Sequence, residues 1–226
     1  MKKIMAAFAA GVLAFGVSAR ATDVESAEYA VITIPIVAGN NLIGISVEAS
    51  DLDLTAVLKG LDGFGEAVVK TWGGSAYTTT SVASKDVSKG DSFFLVIPDG
   101  TASFNAYEIG VAPSEASAAS TTVANMSIVA PPFASSWTPG RLTFSTDGSS
   151  RIGTANKIHV WNASLNQYDT YWYKASGDAK AGWYKKGNST KLSSLPNFGP
   201  GQSVFVEFGN GTSSKPASGT VEFAAP

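Results

Sequence analysis

Residues 157–184 read KIHVWNASLNQYDTYWYKASGDAKAGWY and hold three of the five Trp and four of the seven Tyr in the chain. Rings, β-branched residues and short polar breaks at this density predict strands. Alternation along Tyr168–Tyr173 puts Tyr171 and Tyr173 on one face of such a strand and Trp172 on the other. Trp183 and Tyr184 return on a neighbouring strand.

Working outward, a plainer version of the same opening lies upstream, VVKTWGGSAYTTT over residues 68–80. Val68–Trp72 aligns with Lys157–Trp161, and Tyr77 and Tyr168 follow the two Trp. Farther on, Lys89–Val96 (KGDSFFLV) matches Pro200–Glu207 (PGQSVFVE), a Gly turn feeding an aromatic, β-branched strand. From Trp to that Gly the first copy spans 18 residues and the second 40, the excess falling mostly within Tyr171–Asn197. Such an echo predicts two related modules, the second enlarged.

The fold class expected is all-β: two related β-sandwich-like modules with one short helix in the first. Module 1 covers residues 22–113, a linker 114–122, and module 2 residues 123–226. A single sandwich with one long loop is the alternative. In module 1, Tyr29–Val37 (YAVITIPIV) is nearly continuous in apolar residues, as in a strand covered on both faces. Its Pro35 assigns it to an edge or a bulge, because proline cannot donate to a ladder. Gly39-Asn40-Asn41 is a turn signal, so Tyr29–Val37 and Leu42–Val47 are expected to form a hairpin. Leu52–Leu61 carries apolar residues at helical spacing (Leu54, Val57, Leu58, Leu61), with Ser50 or Asp51 as the cap.

Composition narrows the function. Hydrophobic residues make up 44% and charged residues 15%, against about 25% charged in ordinary domains. A net charge of −2 without a basic patch argues against nucleic acid as a partner. Cysteine is absent, which removes thiol nucleophiles and thiolate metal sites, and His159 is the single histidine.

Met1–Ala21 reads as a secretory signal peptide: Lys2 and Lys3, an apolar run Ile4–Val17, then Ala19-Arg20-Ala21, with Val17-Ser18-Ala19 as a second cleavage site. The apolar run is too short for a bilayer core, which takes about 20 residues. A secreted or extracytoplasmic location follows (periplasm or cell surface), with no integral membrane segment after cleavage.

The signal peptide, the opening strand Tyr29–Val37, WNASLNQYDTYWY, Gly182–Tyr184 and PGQSVFVEF together resemble a group of secreted β-rich proteins of Verrucomicrobia-like bacteria. The resemblance implies a β-rich exported protein and supplies no catalytic residues.

The candidate ligand-binding set is Tyr171, Trp172, Tyr173, Trp183 and Tyr184. Flat rings with polar edges suit sugar stacking, but such rings are also the ordinary filling of a β core. Asp51, Asp53, Asp62 and Glu66 lack the spacing of a calcium loop and are read as helix capping and solvation. Asp169, Asp178 and Glu207 are the carboxylates available for a glycosidase pair, which needs two acids flanking one bond. No nucleophile elbow or phosphate-cradling loop is present. No catalytic residue, metal or cofactor is expected. The reading is an exported structural or adhesive protein of the cell surface or secreted matrix, without catalysis. Its partners are itself or other surface or matrix proteins. The alternative is carbohydrate binding through the aromatic set, with polysaccharide as partner.

Overall fold

A computed structural model describes residues 28–49, 51–61, 66–112, 119–124, 126–130, 133–136, 142–145, 151–175, 180–193, 198–209 and 218–224. The signal-peptide region, Ser50, Asp62, residues 114–118 of the expected linker and Asp178 lie outside them.

Strands alternate between four sheets. The first half contributes β1 (Tyr29–Ile36), β2 (Gly39–Gly44), β3 (Leu58–Lys59), β4 (Val68–Trp72), β5 (Tyr77–Ser81), β6 (Ser92–Ile97) and β7 (Phe104–Val111). These form an outer sheet β1-β7-β3 and an inner sheet β2-β6-β4-β5. The second half contributes β8 (Ala119–Ala124), β9 (Met126–Val129), β10 (Leu142–Phe144), β11 (Asn156–Asn162), β12 (Gln167–Lys174), β13 (Gly182–Lys185), β14 (Val204–Glu207) and β15 (Ser218–Phe223). Its sheets are β8-β15-β10 and β9-β14-β11-β12-β13. One pairing scheme generates both halves, with β13 as an added edge strand inside the longer insertion. The all-β, sandwich-like architecture with one short helix among the described residues is that expected.

Each half closes its own core. Ile32, Ile34, Ile36, Val69, Phe93, Leu95 and Ile97 fill the first. Ile158, Val204, Val206, Phe208, Val221 and Phe223 fill the second. Buried and exposed residues alternate on the outer strands β1 and β7, so burial of one face fixes their register.

Four local expectations are corrected. β1 and β2 do not form a hairpin: β1 pairs with β7 and β2 with β6. The chain crosses between sheets at Val37–Gly39, where Gly39 takes φ +86°. Buried Asn41 clamps the crossing, accepting from Val37 N at 2.9 Å and donating to Val37 O at 2.8 Å in place of ladder bonds. β1 is also open on one face, with Tyr29 71% and Val31 64% exposed, although it is an edge strand as Pro35 required. The helix is a single turn, α1 (Leu54–Val57), capped by Asp53, whose carboxylate accepts from Thr55 N at 2.7 Å. Leu54, Val57, Leu58 and Leu61 are all buried, so the periodicity marked the core-facing residues. Leu58–Lys59 leave the helix because β7 offers them a ladder. β8 begins inside the stretch read as linker, at Ala119, and pairs with β15.

The two inner sheets meet face to face. Trp72, Phe94 and Leu42 of the first half pack against Trp161, Tyr168, Phe205 and Ile128 of the second. Ring centroids lie 5.8 Å apart for Trp72–Phe205 and 5.2 Å for Phe94–Trp161, both edge-on, the arrangement that ring quadrupoles favour. A loop of the second half also docks on β2: Gly44 N donates to Gly201 O at 3.0 Å, and Ser203 Oγ donates to Ile43 O at 3.1 Å. The result is four stacked layers with an aromatic seam at the middle.

Candidate functional site

The first half covers only one end of the inward face of the five-stranded sheet. β11 runs from Lys157 to Trp161 toward the seam, and alternation places Lys157, His159 and Trp161 on that face. Trp161 is covered. Past the seam, register brings Lys157 beside Glu207 of β14 and His159 beside Thr170 of β12.

A chain of polar contacts results. Lys157 Nζ donates to Glu207 Oε1 at 2.8 Å. Glu207 Oε2 lies 3.1 Å from His159 Nε2, and His159 Nδ1 lies 2.9 Å from Thr170 Oγ1. Lys157 and Glu207 are buried, 9% and 8% exposed. Burial holds the Lys157 ammonium below its ordinary pKa, because desolvation penalises the charged form. Ile152 and Gly153, in a 3-10 turn, and Lys186 complete a cleft of about 280 Å³ over these residues.

The five sequence-predicted ligand residues divide between the two faces of this sheet. Tyr171 is buried in the second core. Tyr173 and Trp183 share its face, edge to face at 5.4 Å, and Trp183 packs on that core. Lys185 lies over the Tyr171 ring at 5.9 Å and pairs with Asp169 at 2.7 Å. Tyr171 also lines a groove of about 600 Å³ on the flank between the halves, with Pro35, Trp161 and Gln202. Trp172 and Tyr184 stack on each other on the opposite face, 5.1 Å apart at 28°. Tyr184 is buried and donates its hydroxyl to Lys180 O at 2.7 Å. So the structure brings together Trp172 with Tyr184, and Tyr173 with Trp183, but no continuous five-ring platform.

Asp169 and Glu207 lie on opposite faces of the sheet, because Asp169 pairs with Val160 and Glu207 with Lys157. They do not flank a common bond. No group of three or more metal-ligating side chains occurs among the described residues.

Sequence reasoning missed the quartet Lys157, His159, Thr170 and Glu207 as a unit. The signal was present in the alignment of the halves. Lys157 stands where the first half has Val68, and Glu207 where it has Val96; those two valines pair in the same register. Two apolar-to-charged exchanges at partnered positions mark the spot. Compared with known protein families, curated proteins and solved structures, the chain gives no match.

Proposed function

We propose that this is an exported structural or adhesive protein of the cell surface or secreted matrix, acting without catalysis. One observation carries the reading: most of the Trp and Tyr rings in residues 157–184 are used in packing. Trp161 and Tyr168 close the seam between the halves with Trp72, Phe94 and Phe205, Tyr171 fills the second core with Trp183 packed against it, and Tyr184 is buried. A body of four cross-packed layers is suited to holding shape.

The outer face of β1–β7 supports contact with a second copy. Tyr29, Val31, Tyr107 and Ile109 are exposed there and adjacent, since Val31 pairs with Ile109 and Thr33 with Tyr107. Contiguous apolar patches on soluble proteins mark interaction sites, and β1 beside this one is an edge strand whose backbone groups can pair with another β1. Sedimentation and electron microscopy of chain 22–226 test this: assemblies are expected, and Val31→Lys is expected to reduce them. Monodisperse monomers at high concentration count against it.

Carbohydrate binding is a second reading, favoured by the Trp172–Tyr184 stack. It stands on the same sheet face as the polar cleft, since Trp172 pairs with Lys157 across β11–β12. A glycan array with Trp172→Ala as control tests it.

A further inference from the structure

The two halves supply an internal control. At partnered positions of the inner sheets, one half carries Val68 and Val96, and the other carries buried Lys157 and Glu207. The fold is therefore built equally well with an apolar pair there. A buried ion pair is commonly no more stabilising than well-packed apolar residues of similar volume, because both charges lose water. Stability gives no reason for the exchange, and a cleft opens directly over it.

We propose that Lys157, Glu207 and Thr170 bind vicinal hydroxyls of a pyranose sugar, with His159, both of whose ring nitrogens are engaged, positioning Glu207 and Thr170, and with Trp172 on the same sheet face. This deepens the carbohydrate-binding reading and rests on it. A sugar hydroxyl both donates and accepts. It matches a row of ammonium, carboxylate and alcohol whose last two members are held by the imidazole between them. Lys157 carries three donors, of which the bond to Glu207 uses one. The Glu207 bond fixes that ammonium, and the Thr170 contact fixes the imidazole ring. A site held by its own internal bonds is preorganised and loses little entropy on binding. Trp172 pairs with Lys157 across β11–β12, so it lies on the same sheet face as the polar row, its ring stacked on Tyr184. Lys186 at the rim adds a positive charge that favours a uronate over a neutral sugar.

Titration calorimetry of chain 22–226 against neutral hexose oligomers and against uronate oligomers is the test. The variants are Lys157→Val with Glu207→Val, Glu207→Gln alone, and Trp172→Ala. The expected result is binding in one or both arms, weakened roughly tenfold to a hundredfold by the double valine variant and in the same direction by Glu207→Gln. The urea midpoint of the double variant should not fall. A uronate preference assigns Lys186 to the carboxylate; equal binding assigns recognition to the hydroxyls alone. If both charge variants bind like the parent while Trp172→Ala does not, the quartet is overturned and the carbohydrate reading stands. If the parent binds neither oligomer, both fail.

Discussion

Trp72 and Trp161 reach across the boundary between the halves in opposite directions, and each indole N–H donates to a backbone carbonyl on the other side. Trp72 reaches Met126 O at 2.9 Å, and Trp161 reaches Asn40 O at 2.7 Å. Asn40 precedes Leu42 by two residues as Met126 precedes Ile128, and Leu42 faces Phe94 as Ile128 faces Phe205. Contacts that repeat with the partners exchanged are those of an isologous, twofold interface, here within one chain. Tyr77 and Tyr168 extend the pattern, each lying 4.8 Å from the Trp of its own half. Burial, with the neighbouring Tyr77 hydroxyl, raises the pKa of Tyr168.

Replacing either Trp by Ala removes ring contacts and a cross-boundary hydrogen bond. Each substitution is expected to cost about 3 kcal/mol, near the lower end for aromatic truncation. Both rings serve one seam, so the losses should not add. A double-mutant cycle by urea unfolding is expected to show coupling of about 0.5–3 kcal/mol. Simple additivity would mean that the two contacts act separately.

Glu108 sits fully buried in the first core. Its Oε1 accepts from Ser46 N at 2.6 Å and Val47 N at 2.8 Å, and its Oε2 has no partner among the described residues. Burial raises its pKa from 4.5 to about 7, and the two amide bonds oppose this only in part. The folded chain therefore holds this proton more tightly than the unfolded chain. The associated stability is fully present below pH 4.5 and is lost as pH rises through about 7. At roughly 1.4 kcal/mol for each pH unit of separation, the loss is about 3 kcal/mol. Urea midpoints measured across that window should fall with pH, and Glu108→Gln should remove this component. An unchanged slope in the variant would assign the dependence to other groups.

Gly110 on β7 is a packing requirement. A Cβ there would lie 2.6 Å from Glu48 O and 2.6 Å from Val47 Cγ2. The first of these is backbone, held by the Glu48–Val111 bridge, and has little freedom to withdraw. Gly110→Ala is expected to cost about 1–3 kcal/mol, the usual range for overpacking, and thermal unfolding checks it. An unchanged Tm would show that the bridge yields.

Much of the fold was legible because side-chain period and burial agree. Val68–Trp72, Ser92–Ile97 and Lys157–Trp161 were readable as strands, and Pro35 marked an edge. What failed was the pairing of the first two strands. The turn signal at Gly39-Asn40-Asn41 is the same whether a chain returns beside itself or crosses to another sheet, and only the contact between Asn41 and Val37 decides. Leu52–Leu61 has a helical burial pattern, yet β7 takes Leu58 and Lys59. β8 escaped because Ala119–Ala124 is rich in Ser and Thr, with few apolar residues to show a period. The quartet was illegible residue by residue: Lys157 and Glu207 lie 50 residues apart and meet through sheet register.

Calorimetric unfolding of chain 22–226 tests most directly whether the rings make one body of the two halves. One transition is expected, with calorimetric and van't Hoff enthalpies in agreement, and it should split when Trp72 and Trp161 are both replaced by Ala. Two separate transitions in the unmodified chain would contradict the account, because the halves would then be independent and the aromatic seam incidental.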